Sequence, residues 1–593
     1  MKVQHLVLLV LIGLLAFAST TRWQSLDKPL VMTDGQGYHA YLPAVFIYQD
    51  LQFHFVDSIN ETYYLPEKRA VFVMPYKTGN VNKYYAGTAL VQTPFFVVGC
   101  IISRLAGVPV DGYSWPFQLM VGVGAIFCLV MGLFFLGKLL LNLGYGKTPV
   151  LITLLLMTFG TNLFYYTVYE PSMSHVYSFF TVSSFLFFAR KFLLKPRTPT
   201  AFLAAALFGL TVLIRPVNGL IILALPILVE PSLIIACLKR LLGNWRLVLL
   251  AVTTVVAIGS IQVFIYWIQT GTPVVWSYEG EGFNFGSPEV VNVLFSYRKG
   301  LFVYCPILAL AVVGVFAGIV RRKEGFGWLF LVLCIIIWVI SSWWMWYYGG
   351  SYGHRPFIEF YSLFAIGLVY LLQEGFGPLK ILGLTALSVG LVAIQLIQTY
   401  QYVQQIMPHD HMTQERYWNI FLNTKEELRW YYSGDGDEGS YFITNALMHD
   451  MEQAIGWGNE HSLTDSTAKN GMRASILTEK TNYGITLRKP VRELYPMPEA
   501  VKVSAWIKTS VDSTDASFVC AIEDSVGTNY FWKRKRLKYQ LDENRDWSRV
   551  TVVFKCGRPK TSTDEFVIYP FKEDSAVVFV DDLQVSFLKG SEN

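Results

Sequence analysis

The stretch FQLMVGVGAIFCLVMGLFFLGKLL, residues 117–140, carries one ionisable side chain, Lys138, close to its end. An apolar run of this length matches the hydrocarbon core of a bilayer when coiled as a helix. Working outward, comparable runs recur at 6–18, 150–166, 176–194, 201–214, 220–238, 247–268, 301–320, 328–348, 357–372 and 381–399. The fold class is therefore a polytopic α-helical membrane protein with about 11 transmembrane helices. Composition agrees: 53% of the 593 residues are hydrophobic and 15% are charged, which excludes an ordinary soluble enzyme. The net charge of +5 is spread in short clusters between apolar runs, so nucleic acid is excluded as a partner. Seven cysteines show no CxxC or Cys/His spacing and suggest no zinc site. Cys520 and Cys556 fall in a polar C-terminal region, where they either pair or stay as buried thiols.

Two runs need a decision. Residues 6–18 follow Lys2 and could be a signal peptide, but no small-residue cleavage site separates them from Asp34, so they are read as an uncleaved first span. Residues 87–107 are apolar enough to span, yet contain Gln92, Pro94 and Arg104. Laid along the outer surface as an interfacial or re-entrant helix, this segment leaves every basic cluster cytoplasmic. These are Lys138 with Lys147; Arg190, Lys191, Lys195 and Arg197; Lys239, Arg240 and Arg246; residues 321–323; and Lys380. As a span it would turn every cluster outward.

With that orientation the loops that collect unusual residues share the outer side. They hold Thr33-Asp34-Gly35-Gln36-Gly37-Tyr38-His39, then Glu170-Pro171-Ser172-Met173-Ser174-His175, Arg215-Pro216-Val217-Asn218, the stretch 270–300, and Gly349-Gly350-Ser351-Tyr352-Gly353-His354-Arg355-Pro356. Singly, such residues are explained by solvation or snorkelling at the interface. Together, an acid, a histidine, several arginines and clustered aromatics at span ends are what an interfacial active site needs.

Four stretches, Thr33-Asp34-Gly35-Gln36-Gly37-Tyr38, Tyr169 to His175, Arg298-Lys299-Gly300-Leu301-Phe302-Val303-Tyr304-Cys305-Pro306 and Tyr348 to Arg355, resemble the GT-C superfamily of membrane glycosyltransferases, in its protein O-mannosyltransferase-like and aminoarabinose-transferase-like branch. The resemblance covers residues 1–400, with a first extracytoplasmic loop at about 22–115. It implies an inverting transferase that takes a sugar from a polyprenyl-phosphate donor on the outer face of a bacterial cytoplasmic membrane. The acceptor would be a glycan, lipid or protein, and the membrane lipids are further partners. The single acid in the first motif departs from the best-known members and puts metal use in doubt.

Such chemistry needs a base for the acceptor hydroxyl, and Asp34 is the candidate; otherwise it caps an interfacial helix starting near Tyr38. The departing phosphate needs fixed cations, with Arg355 first and Arg215, Arg298 and Lys299 after it. Glu170 and His175 could orient the acceptor, assist the base, or form with Asp34 a sparse site for a divalent metal ion; a hydrogen-bonded Glu–His pair explains them equally. His39, Glu279, Tyr352 and His354 are the remaining substrate-binding candidates. Glu281 and the aromatics Trp276, Tyr278, Phe283 and Phe285 read as interfacial.

Past Thr399 the composition turns polar. Residues 401–470 read as a connector with a flexible loop at 434–437. Residues 471–593 read as an antiparallel β-sandwich, with strands at 501–507, 517–521, 549–554, 565–569 and 576–585. Odd span parity leaves this domain extracytoplasmic. Through Val503-Ser504-Ala505-Trp506-Ile507 and Val578-Phe579-Val580-Asp581-Asp582-Leu583 it resembles jelly-roll carbohydrate-binding modules, which implies sugar contact by Tyr530 or Trp532. Asp581 and Asp582 fit a calcium site or a solvated turn, and Lys533 to Arg536 fit a protected sheet edge or contact with anionic headgroups. Two rivals remain: a transporter or flippase of lipid-linked saccharides, and a non-catalytic envelope assembly protein.

Overall fold

The computed structural model describes the chain apart from residues 1, 22–28, 65–68, 77–78, 279, 375–377, 426–440, 454–455, 496, 512–513, 538–540, 542–545, 557–558 and 591–593. It divides into two compact units, Met1–Thr399 and Tyr400–Asn593.

The first unit is helical. In order, it places α1 (Val3–Thr21), α2 (Asp34–Phe46), α3 (Val56–Tyr63), a hairpin of β1 (Val73–Tyr76) and β2 (Gly79–Asn82), α4 (Gly87–Ala106), α5 (Trp115–Asn142), α6 (Lys147–Phe159), α7 (Leu163–Val168), α8 (Ser174–Leu194) and α9 (Thr198–Ile214). A 3-10 helix, Pro216–Ala224, then leads through α10 (Leu225–Leu228) to α11 (Pro231–Leu242) and α12 (Trp245–Thr270). Next come α13 (Val290–Phe295), α14 (Leu301–Tyr304), α15 (Ile307–Val320) and α16 (Phe326–Ser341). A 3-10 turn, Arg355–Phe360, runs into α17 (Tyr361–Gln373), followed by α18 (Pro378–Val403).

Among the described residues seven helices are long and apolar enough to cross a membrane, or eight if one bent pair is a span. Several expected spans are interrupted. Residues 216–228 and 231–242 bend by 110° rather than forming one straight helix. The expected span 150–166 breaks after α6, and Asn162 fills the break. Its amide donates to Tyr352 O at 3.0 Å and its carbonyl accepts from Tyr361 Oη at 2.6 Å. Broken backbone survives at membrane depth only where protein groups satisfy it in this way. The 87–107 segment, expected to be interfacial or re-entrant, is a continuous helix long and apolar enough to span.

Small residues set how closely the helices approach. Gly314 of α15 and Gly367 of α17 face each other so closely that a Cβ on either would meet the other helix's backbone. Gly132 of α5 receives the Phe179 ring of α8. Two of the basic clusters share one end of this bundle: Arg190 at the end of α8 donates to Asn142 O at the end of α5 (2.8 Å), Arg321 after α15 pairs with Glu374 after α17, and Gly146 N after α5 donates to Gln373 at the end of α17.

The second unit, after α19 (Gln414–Ile420), is a sandwich of two antiparallel sheets. Its strands are β3 (Tyr441–His449), β4 (Leu463–Thr464), β5 (Ala474–Leu477), β6 (Leu487–Pro490), β7 (Ala500–Thr509), β8 (Ser517–Glu523), β9 (Asn529–Arg536), β10 (Ser548–Lys555), β11 (Glu565–Phe571) and β12 (Val578–Gly590). One sheet runs β10-β7-β12-β5-β4, with β3 also paired to β12; the other runs β6-β11-β8-β9. Period-two alternation buries Val503, Ala505 and Ile507 against Phe518, Cys520 and Ile522. The sheet therefore begins at Tyr441, inside the stretch expected as connector, and the 434–437 loop lies outside the described residues. Cys520 and Cys556 are both unpaired thiols. The Lys533 to Arg536 run lies on β9, an edge strand.

Candidate functional site

The N-terminal segment is docked by two polar side chains. Gln118 in the first turns of α5 accepts from the Leu30 and Val31 amides at 2.7 and 2.9 Å, and Ser172 Oγ donates to Leu30 O at 3.0 Å. Thr33 then turns with φ 52°, and α2 opens at Asp34, where the helix N-terminus favours a carboxylate. The glycines beside Gln36 let the backbone approach its protein neighbours closely: a Cβ on Gly35 would strike Ser172, and one on Gly37 would strike Tyr84 and Phe72.

This docking sets Asp34 against the far end of the chain's helical unit. Arg355 Nη2 lies 2.9 Å from Asp34 Oδ2 and also donates to Tyr348 O at 3.1 Å. The turn before it needs left-handed backbone at Gly349 (φ 69°) and Gly353 (φ 61°). Burial pushes the Asp34 carboxyl up, but Arg355, a hydrogen bond from Tyr84 and Arg215 outweigh it, and its pKa lies below the ordinary value. Asp34 is therefore a carboxylate at neutral pH. Glu170, which accepts from Tyr165 Oη at 2.9 Å, is shifted the other way, because burial outweighs the pull of Arg355.

A second buried cluster adjoins the first. Glu359 Oε1 accepts from His175 Nδ1 at 2.9 Å and from Arg215 Nη1 at 3.0 Å, and its other oxygen has no hydrogen-bond partner among the described residues. Glu359 lies in an apolar run counted only as a span. An acid inside such a run is itself the sequence signal of a functional group.

Asp34, Arg355, Arg215 and Glu359 line one cavity of about 370 Å³, with Lys83, Glu281 and a wall of Tyr38, Tyr84, Tyr278 and Trp343. Lys83 pairs with Glu281 at 2.6 Å, and Tyr278 packs edge-on to both Tyr84 and Trp343. Each of the three lining cations thus faces a carboxylate.

The other expected site residues lie elsewhere. His39 is core: Nε2 bonds Gly112 O at 2.8 Å and its ring packs edge-on to Phe96 and Tyr113. Tyr352 is fully buried, its hydroxyl bonded to Gln395. His354 is buried with Nε2 on Trp346 O. Lys299 is buried and donates to Ser351 O, while Arg298 stacks 3.4 Å over Tyr347; neither lines the cavity. Glu279 lies outside the described residues. No group of three or more His, Cys, Asp and Glu side chains able to hold a metal occurs among the described residues. The Asp34, Glu170 and His175 set expected for a metal is divided among Arg355, Tyr165 and Glu359.

In the sandwich, Tyr530 Oη is bonded to Asp564, and Lys560 covers its ring. Trp532 is 48% exposed, and its indole donates to Tyr569 Oη at 3.2 Å. Tyr483, 49% exposed, packs on Tyr569 and Phe571, making an aromatic strip with Trp532 that the sequence did not reveal. Asp581 accepts from the Lys469 and Asn470 amides and Asp582 from the Asn470 side chain, so both close a turn.

No family model and no curated protein matches this sequence. Among solved structures, the chain is similar to the arabinosyltransferase EmbB from Mycobacterium smegmatis, at 12% identity over 85% of this chain and 64% of that one, with a TM-score of 0.32. Its C-terminal part is similar to the CBM22-1 xylan-binding domain of Paenibacillus barcinonensis Xyn10C, at 15% identity over 25% of this chain and 98% of that one, TM-score 0.19. It is likewise similar to a family 16 carbohydrate-binding module, at 17% identity over 22% and 90%, TM-score 0.16.

Proposed function

We propose that the helical unit is an inverting glycosyltransferase that takes a sugar from a polyprenyl-phosphate donor on the extracytoplasmic face of a bacterial cytoplasmic membrane, and that the sandwich faces the same side and binds carbohydrate. The observation that carries the reading is that the Asp34 carboxylate and the Arg355 and Arg215 guanidiniums line the same cavity. Its volume falls in the range of small-ligand pockets.

The acceptor oxygen attacks the anomeric carbon, the bond from that carbon to the phosphate oxygen breaks, and its electron pair leaves with the phosphate. The acceptor proton goes to Asp34. Proton uptake neutralises Asp34 and loosens its hold on Arg355 as the leaving phosphate gains charge. One guanidinium is thereby handed from base to leaving group, and Arg215 supports it from the side. The aromatic wall suits the apolar faces of a sugar ring.

Incubating the purified protein with radiolabelled polyprenyl-phosphate sugars tests this. Label should leave the lipid with wild type and fall about 10²- to 10⁴-fold with Asp34→Asn, the usual worth of a general base. Equal release by both proteins would remove Asp34 as base.

A further inference from the structure

A second cavity, of about 750 Å³, lies in the helical unit and has only apolar lining, from Phe185 and Ala189 of α8, Ala205 of α9, Leu238 of α11, Val255 of α12 and Trp328 of α16. It sits at the other end of the helices that carry the polar site. From His175 to Ala189 α8 rises about 21 Å, and α9 runs from this cavity at Ala201 to Arg215 at the site. The 110° bend before α11 folds that helix over the cavity, and Trp328 Nε1 ties the other wall to Leu223 O at 2.7 Å.

Helix α11 is amphipathic and hardly buried, with Leu238 and Leu242 exposed beside Lys239 and Arg240. The lining residues Leu193 and Leu241 are flanked in sequence by Lys191, Lys195 and Arg197 and by Lys239, Arg240 and Arg246. Of these, Lys191 lies over the Phe187 ring. The exposed side chains of Lys195, Arg197, Lys239, Arg240 and Arg246 have no ion-pair partner among the described residues. Between Lys191 and Arg246 the chain carries one acid, Glu230, at the far end of α11 from Lys239 and Arg240.

We infer that this cavity holds the acyl chains of one anionic diacyl phospholipid, whose phosphate rests on the cations of α11 and the start of α12. An apolar hollow at membrane depth is filled by hydrocarbon, and the unopposed cationic rim selects the headgroup charge. This is independent of the chemistry at Asp34.

The full-length protein, purified in detergent, is titrated with dioleoylphosphatidylglycerol and with dioleoylphosphatidylcholine and read by native mass spectrometry. Wild type should retain one phosphatidylglycerol in preference to phosphatidylcholine. Lys239→Ala with Arg240→Ala, both exposed, should lose that preference, at about fivefold weaker binding per charge removed. Ala205→Trp, which fills the cavity, should retain neither lipid. The inference is overturned if both variants keep phosphatidylglycerol as wild type does, if the two lipids bind wild type equally, or if polyprenyl phosphate displaces phosphatidylglycerol one for one.

Discussion

Arg355 Nη2 stands 2.9 Å from Asp34 Oδ2, joining two residues more than three hundred positions apart at one cavity wall. The pair makes Asp34 a carboxylate despite its burial, and that gives a pH prediction with a sign. Burial alone raises the Asp34 pKa; Arg355 heads the influences that lower it. Removing the guanidinium in Arg355→Gln leaves burial less opposed, so the pKa rises. A base must be deprotonated, so the acid limb of the kcat/KM profile, expected below the ordinary carboxylate value in wild type, should move to higher pH. Arg355→Lys keeps a charge and should hold the limb nearer its original place. A limb that stays put in Arg355→Gln would show that Asp34 is not the titrating base.

Glu359 makes a separate prediction about stability. Its side chain is 1% exposed and accepts from His175 and Arg215, the latter 24% exposed. Removing one partner of a buried pair leaves the other charge uncompensated, at a cost of about 3–5 kcal/mol. Glu359→Ala should therefore lower the thermal midpoint in detergent far more than Glu359→Gln, which can still accept from His175. A double-mutant cycle with Arg215→Met should return a coupling above about 1 kcal/mol. Additive losses would mean that the two side chains do not act as a unit.

Much of this arrangement could be read in the chain before its structure, and the exceptions have physical causes. Apolar runs located the helices, and the motifs at Asp34, Arg215 and Arg355 named three of the charged residues that line the cavity, because charge at a span end is conspicuous against hydrocarbon. His39, Tyr352 and His354 sit in the same motifs but point into the core, and local sequence does not reveal which side of a turn a side chain takes. Glu359 hid inside a run of aromatic and aliphatic residues whose mean hydropathy masks a single acid. The 110° bend before α11 was equally hidden, since hydropathy measures length and not direction. In the sandwich, the alternating runs on β7, β8, β10, β11 and β12 were visible. Strands β3 to β6 and β9 were not: β4, β5 and β6 are only two to four residues long, too short to show an alternation, and β3 and β9 lie at sheet edges where polar faces blunt it.

The aromatic strip on the sandwich should be dispensable for folding and needed for glycan affinity. Trp532 and Tyr483 are each about half exposed, and surface substitutions of this kind change stability by about 0.5 kcal/mol or less. Trp532→Ala and Tyr483→Ala should keep the wild-type unfolding midpoint. On a polysaccharide panel by affinity electrophoresis, each should weaken binding by about tenfold or more, as loss of a central aromatic contact does. Retardation unchanged in both variants would take this face out of carbohydrate recognition.

Helix α4 offers the sharpest test of sidedness. It has the length and hydropathy of a span, but its neighbours place both its ends at the site's end of the bundle. Gly87 packs on Leu213 and Ile214, one turn from Arg215, while Gly99 packs on Phe117 in the first turn of α5. Beyond it, Gly112 packs on Pro43 of α2, the helix that begins with Asp34. A helix that crossed the bilayer would carry one of these glycines to the opposite end, beside the basic clusters. Single cysteines at Asn80 and Val108, in a protein lacking its native cysteines, should both react with an impermeant maleimide from the extracytoplasmic side of intact cells. Reaction of one from each side would make α4 a span and reverse every later loop. Arg355 and Asp34 could then share their observed ion pair only if the N-terminal segment were on the cytoplasmic side too, and a donor presented on the outer face would have no access to it.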